Sequence, residues 1–263
     1  MTATSPTAEA PAAVLVYGVV APADTVASDG PAHPDGALPE GSLGPDGEPL
    51  RLVTHDDLAA VVGGVSPQWR PGRADLLAFS AVIDTLARRG PVVPVQFGSL
   101  MADEQEVVDQ VLVADEDRLR DLLASLAGKT QVQVRARYVE EAVLSEVVAV
   151  DPEVRALWAR TRELPEGAGH GDRVRLGERA ARAVAERAAQ DAETILGVVG
   201  RYAVDAISRP VAGMDVLDIA VLLEADQVAA LEDALEALAQ ASYRRLRIRL
   251  VGPTAPYDFV GER

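Results

Sequence analysis

The chain has 263 residues, enough for one large or two medium domains, and 48% of them are hydrophobic, an ordinary share for a folded protein. Its net charge of -16 argues against a nucleic-acid partner, because phosphate contacts need a positive field. The absence of cysteine excludes disulfides, thiolate metal sites and a cysteine nucleophile.

No apolar run reaches the ~18 residues of a membrane span. The opening MTATSPTAEAPAA has neither a basic nor an apolar signal region. A flexible tail over 1–13 and a cytoplasmic protein are the expectation. Val14–Val20 is an apolar run that reads as a buried strand. Residues 21–49 are rich in Gly and Pro and read as a long loop. Arg51–His55 and Leu58–Val65, joined by Asp56-Asp57, read as a hairpin.

Arg73–Arg89 reads as a helix. Leu76, Phe79, Ile83 and Leu86 fall at helical spacing and predict one buried stripe. Gly90-Pro91 stops it. Val92–Phe97 follows as a strand whose Pro94 calls for an edge or a bulge. Asp103–Leu126 is helical, with Asp103 as N-cap and the acidic Asp115–Asp117 as a break. This order makes residues 14–128 an α+β domain.

Thr130–Val139 alternates strictly, with Val132, Val134, Ala136 and Tyr138 on one face. Glu140–Val150 and Asp151–Arg162 are helices, and Asp151-Pro152 is an N-cap with proline at the first helical position. Residues 163–171 are a linker. Asp172–Val199 is a long helix with an apolar stripe of Ala181, Val184, Ala188, Ala192, Ile195 and Val199. Tyr202–Ser208 and Met214–Leu223 form a second hairpin. Asp226 is placed to cap a helix over 227–240, with Val228, Leu231, Leu235 and Leu238 facing inward.

The last strand, Tyr243–Val251, alternates leucine or isoleucine with arginine, and Gly252-Pro253 is expected to end it. Residues 129–251 thus read β-α-β-β-α-β, a modified ferredoxin-like sandwich in which the first and last strands are neighbours. Their polar faces would then gather Arg135, Arg137, Arg245, Arg247 and Arg249 into a basic partner patch. The plainer reading is a solvated face that protects against sheet aggregation. Residues 252–263 read as an extended tail, with Tyr257 and Phe259 on one side of it, docked as a clasp where the domains meet.

No pattern of catalytic chemistry is present: no GxSxG, HExxH, P-loop or strand-following GxGxxG. His33, His55 and His170 lie far apart and read as exposed, so neither a metal nor another cofactor is expected. Glu104, Asp115, Glu116, Asp117, Glu232, Asp233 and Glu236 read as solvated helix-surface charges.

Four stretches together resemble the gas vesicle protein F/L family. They are VLVYGVV (Val14–Val20), VVPVQFGSLM (Val92–Met101), GKTQVQVRARY (Gly128–Tyr138) and the closing Leu246–Phe259. The chain departs from the family pattern at Gln96, where arginine is usual, at Gln131-Val132 for Glu-Trp, at Thr254-Ala255 for Trp-Pro, and at Phe79, where histidine is common. The resemblance implies a non-enzymatic accessory or minor structural protein of gas vesicle assembly. Its implied partners are the hydrophobic shell protein or other vesicle accessory proteins, with no nucleic acid and no membrane span. Pro253, Pro256, Tyr257 and Phe259 are the tail residues that carry over. The alternative is a ferredoxin-like small-molecule sensor or enzyme, which a reproducible thermal shift with one metabolite class would reveal.

Overall fold

A computed structural model describes residues 13–22, 43–45, 47–165, 168–242 and 245–261. Most of the expected loop at 21–49, the N-terminal tail and His33 lie outside them. The chain divides into two units: residues up to Thr130 with Pro253 onward, and Gln131–Gly252.

The first unit is built on a sheet ordered β2-β3-β1-β4. Its strands are β1 (Ala13–Val20), β2 (Arg51–His55), β3 (Leu58–Val65) and β4 (Val92–Pro94). The short β5 (Leu100–Met101), missed in the sequence, also pairs with β1. β1 and β3 are buried along almost their whole length, which explains their unbroken apolar runs. The β2–β3 hairpin turns at Asp56-Asp57, with Asp56 at φ 48°, a left-handed position that aspartate tolerates.

Pro94 lies on an edge strand, where its missing N–H breaks no ladder. It pairs with Gly18, whose added Cβ would stand 2.9 Å from the Val93 carbonyl oxygen. The β1–β3 register shifts between Val16 and Gly18, a bulge centred on Tyr17. The YG and PVQFG signatures therefore meet across one pair of strands. Helix α1 (Arg73–Ala87) packs on β1 and β4. The expected helix over 103–126 is three segments: α2 (Glu104–Val107), a π-helical stretch (Val108–Val113) and α3 (Glu116–Leu126). Asp103 caps α2 by accepting the Glu106 N–H at 2.9 Å.

The second unit has an antiparallel sheet ordered β7-β8-β6-β9. Its strands are β6 (Lys129–Tyr138), β7 (Ala203–Ser208), β8 (Asp215–Glu224) and β9 (Leu246–Thr254). The first and last strands of the β-α-β-β-α-β order are neighbours, as that reading requires. Its helices are α4 (Glu140–Val150), α5 (Pro152–Glu163), α6 (His170–Val199) and α7 (Val228–Ala241). Asp151 caps α5 through the Glu153 and Val154 N–H groups, which hold its carboxyl below the usual range together with Arg179.

Three expectations need correction here. Ala181 is exposed, and Ala183 packs on the core in its place. Asp226 makes no cap bond to α7, because a 3-10 turn (Ala225–Gln227) intervenes. β9 does not stop at Gly252 but runs through Pro253 to Thr254. No helix among the described residues is long and apolar enough to cross a membrane.

Candidate functional site

The closing tail packs within the first unit. Gly252 takes φ 137° and lets β9 continue close to β6, where an added Cβ would sit 3.1 Å from the Gln131 carbonyl oxygen. Pro253 is exposed, and the buried pair Ala255-Pro256 follows. Ala255 donates its N–H to the Asp84 carboxylate of α1 at 3.0 Å. The tail is then not extended. Tyr257–Phe259 forms a 3-10 turn, closed by the Phe259 N–H on the Pro256 carbonyl at 3.0 Å.

This turn separates the two rings, because residues two apart in such a turn do not share a side. Phe259 is buried at 7% exposure, whereas Tyr257 is 39% exposed. Tyr257, Leu76, Phe79, Pro94 and Phe97 line an open groove of about 700 Å³. Desolvation, and then the nearby Asp84 charge, push the Tyr257 hydroxyl up to about 12.

The groove explains a failed part of the helix stripe. Phe79, Ile83 and Leu86 are buried, but Leu76 is 43% exposed on the groove and Leu77 is 60% exposed beside it in sequence. An aromatic chain supports the wall. Phe79 stacks on Tyr17 at 4.7 Å and meets Phe97 edge-on at 5.2 Å, and Phe97 meets Trp69 at 6.2 Å.

In the second unit, Arg135, Arg137, Arg247 and Arg249 line one groove of about 630 Å³ with Asp215 and Asp218. Arg135 lies 3.4 Å from Asp218, and Arg137 lies 3.7 Å from Asp215. Arg245 is not among them. It precedes β9 and is 8% exposed, so the strand alternation does not govern it.

Arg245 instead grips Asp191 of α6 with two nitrogens, at 2.7 and 3.2 Å. Tyr138 donates its hydroxyl to the same carboxylate at 2.7 Å. Glu146 of α4 lies 3.4 Å from Arg245 and 3.0 Å from Arg187. Burial works against the Arg245 charge, but the Asp191 hydrogen bonds and the two carboxylates outweigh it, and its pKa is raised. Burial first, then the bond to Asp191, raises the Tyr138 pKa. Asp191 was not singled out in the sequence. Its signal was position, since it falls in helical register with Val184, Ala188 and Ile195 on the inward stripe.

One group of potential metal ligands stands apart from these surfaces. Side-chain atoms of His55, Asp56 and Glu116 lie within 4.8 Å of one another. Glu116 already accepts from Arg120 at 2.5 Å, and Arg120 also pairs with Asp57 at 2.7 Å. The guanidinium hydrogen bond holds the Asp57 carboxyl below its usual range, and that local cation opposes a metal. His170 opens α6.

Among relatives, the chain is 34% identical over 230 residues to gas vesicle protein F of Streptomyces sp. (strain CB03234), covering 87% of this chain and 94% of that protein. It is 31% identical over 243 residues to gas vesicle protein L of the same strain, with coverage of 86% and 89%. The fold matches crystal structures of GvpF from Anabaena sp. PCC7120 (TM-score 0.78, 18% identity, 96% of this chain and 99% of that one) and Microcystis aeruginosa (TM-score 0.71, 20% identity, 95% and 100%). The family model of the gas vesicle synthesis protein GvpL/GvpF spans residues 13–261, and the chain belongs to that family.

Proposed function

We propose that this protein is a non-enzymatic accessory protein of gas vesicle assembly that binds the small hydrophobic shell protein through the apolar groove beside its tail. Family membership supplies the gas vesicle context. The observation that most supports the binding reading is the open groove where Leu76 and Tyr257 stand exposed and Phe97 half-buried over the buried Phe79, with Leu77 exposed beside Leu76 in the chain. Contiguous exposed apolar surface in a concave site is a mark of partner binding, more so than apolar residues exposed singly. The groove is held on rigid elements: α1, β4 and a tail pinned to Asp84.

The same reading explains why the tail ends in a turn rather than an extended arm. Phe259 anchors it inside, and Tyr257 is left to face a ligand. The cytoplasm, with association to the vesicle, is the location that fits this work. A deletion strain tests the role in cells. Loss or malformation of buoyant vesicles is expected, and normal vesicles in the deletion strain would refute it.

A further inference from the structure

We infer that the four-arginine face of the second unit is a docking surface for a carboxylate-rich peptide segment of a partner protein, independently of what the apolar groove binds.

The pairing of β6 with β9 carries this inference. Val139 donates its N–H to the Arg245 carbonyl at 2.7 Å, and Gly252 lies against Val132 at the other end of the pair. Both contacts join residues whose numbers add to 384. Antiparallel stepping from them sets Arg137 opposite Arg247 and Arg135 opposite Arg249. Like charges directly opposite on neighbouring strands destabilise a sheet. Here two such pairs stand side by side.

The local carboxylates compensate only half of this charge. Asp218 and Asp215 reach Arg135 and Arg137 in single contacts. Asp218 is also shared with Gln133 and with Arg209 at 3.7 Å. Arg247 and Arg249 have no ion pair among the described residues. Protection of the β9 edge would explain charges on β9 alone. It does not explain the opposed arginines on the interior strand β6.

Charge complementarity sets the partner's chemistry. A carboxylate takes the planar two-nitrogen fork of a guanidinium. The groove also presents Asp215 and Asp218, which can accept peptide N–H groups but repel a uniform polyphosphate. The chain's net charge of -16 disfavours a long polyanion further, while a short acidic peptide reads only the local face.

The test is fluorescence anisotropy of a labelled alternating Glu-Ala peptide with the full-length protein at low salt. Saturable binding is expected, with none for a Lys-Ala peptide of equal length. Arg247→Ala with Arg249→Ala should weaken it at least ~tenfold, and Arg247→Lys with Arg249→Lys should fall between. The alanine variant should melt at or above the wild-type temperature, because it relieves opposed charges. No binding by wild type, or equal binding by the alanine variant, overturns the proposal. So does single-stranded DNA binding as tightly through the same arginines, which would make the face a general polyanion site.

Discussion

Arg245 meets both oxygens of Asp191, at 2.7 and 3.2 Å, across 54 residues of chain. This fork ties the start of β9 to the inward face of α6, and Tyr138 at the end of β6 completes the set. Asp191→Ala leaves Arg245 buried without its main partner and should destabilise the protein by about 3–5 kcal/mol. Replacing both residues together with leucine should cost less than either single change. Urea unfolding of the two single variants and the double variant checks this.

Phe259 and Tyr257 should separate stability from binding. Phe259→Ala empties a buried site and should cost about 3 kcal/mol, at the low end for a core phenylalanine. Tyr257→Ala removes a ring that is only partly covered and should cost less, about 1 kcal/mol. Thermal melts of the two variants decide the point, and equal losses would contradict the division of labour between the rings.

Gly252→Ala should destabilise by about 1–3 kcal/mol, because alanine at a strongly positive φ is strained. The new Cβ would also press on Gln131 and Val132 of β6, at 3.1 and 3.2 Å. Chemical denaturation of this variant beside Gly213→Ala is the comparison. Gly213 also has positive φ, but at 66° it lies in the ordinary left-handed region with open space around it, so the excess loss at Gly252 reports the harsher φ of 137° together with the close approach.

Acid should weaken the fold through Asp151 and Asp57. Backbone N–H bonds, chiefly from Val154, lower the first carboxyl, and the Arg120 hydrogen bond lowers the second. A lowered folded-state pKa gives stability that is complete above the unfolded value of about 4 and is lost as pH falls through the folded values. Melting temperature should therefore drop on acidification below about pH 4, and Asp151→Asn should flatten part of that drop. An unchanged acid profile in Asp151→Asn would contradict this assignment.

Most of the fold was legible because its signals are local. The 51–55 and 58–65 hairpin, the Asp151-Pro152 helix start and the alternation of Val132, Val134, Ala136 and Tyr138 each show in a few adjacent residues. Long-range partners were not legible. Arg245 looks like one more outward arginine until Asp191 is known to stand beside it. Leu76 fits the helix stripe by spacing, but the apolar floor under that stripe ends before its position. The tail just before its turn is held by Ala255 on Asp84, a contact that spans 171 residues.

The most direct measurement is the amount of gas vesicle shell protein that stays in solution when mixed with this chain. The comparison is wild type against Leu76→Asn with Leu77→Asn, changes within α1 that should cost about 1 kcal/mol each, too little to unfold the chain, which a thermal melt verifies. Wild type should hold the shell protein soluble and the variant should let it sediment. Equal retention by both proteins, or none by wild type, would contradict binding through the apolar groove.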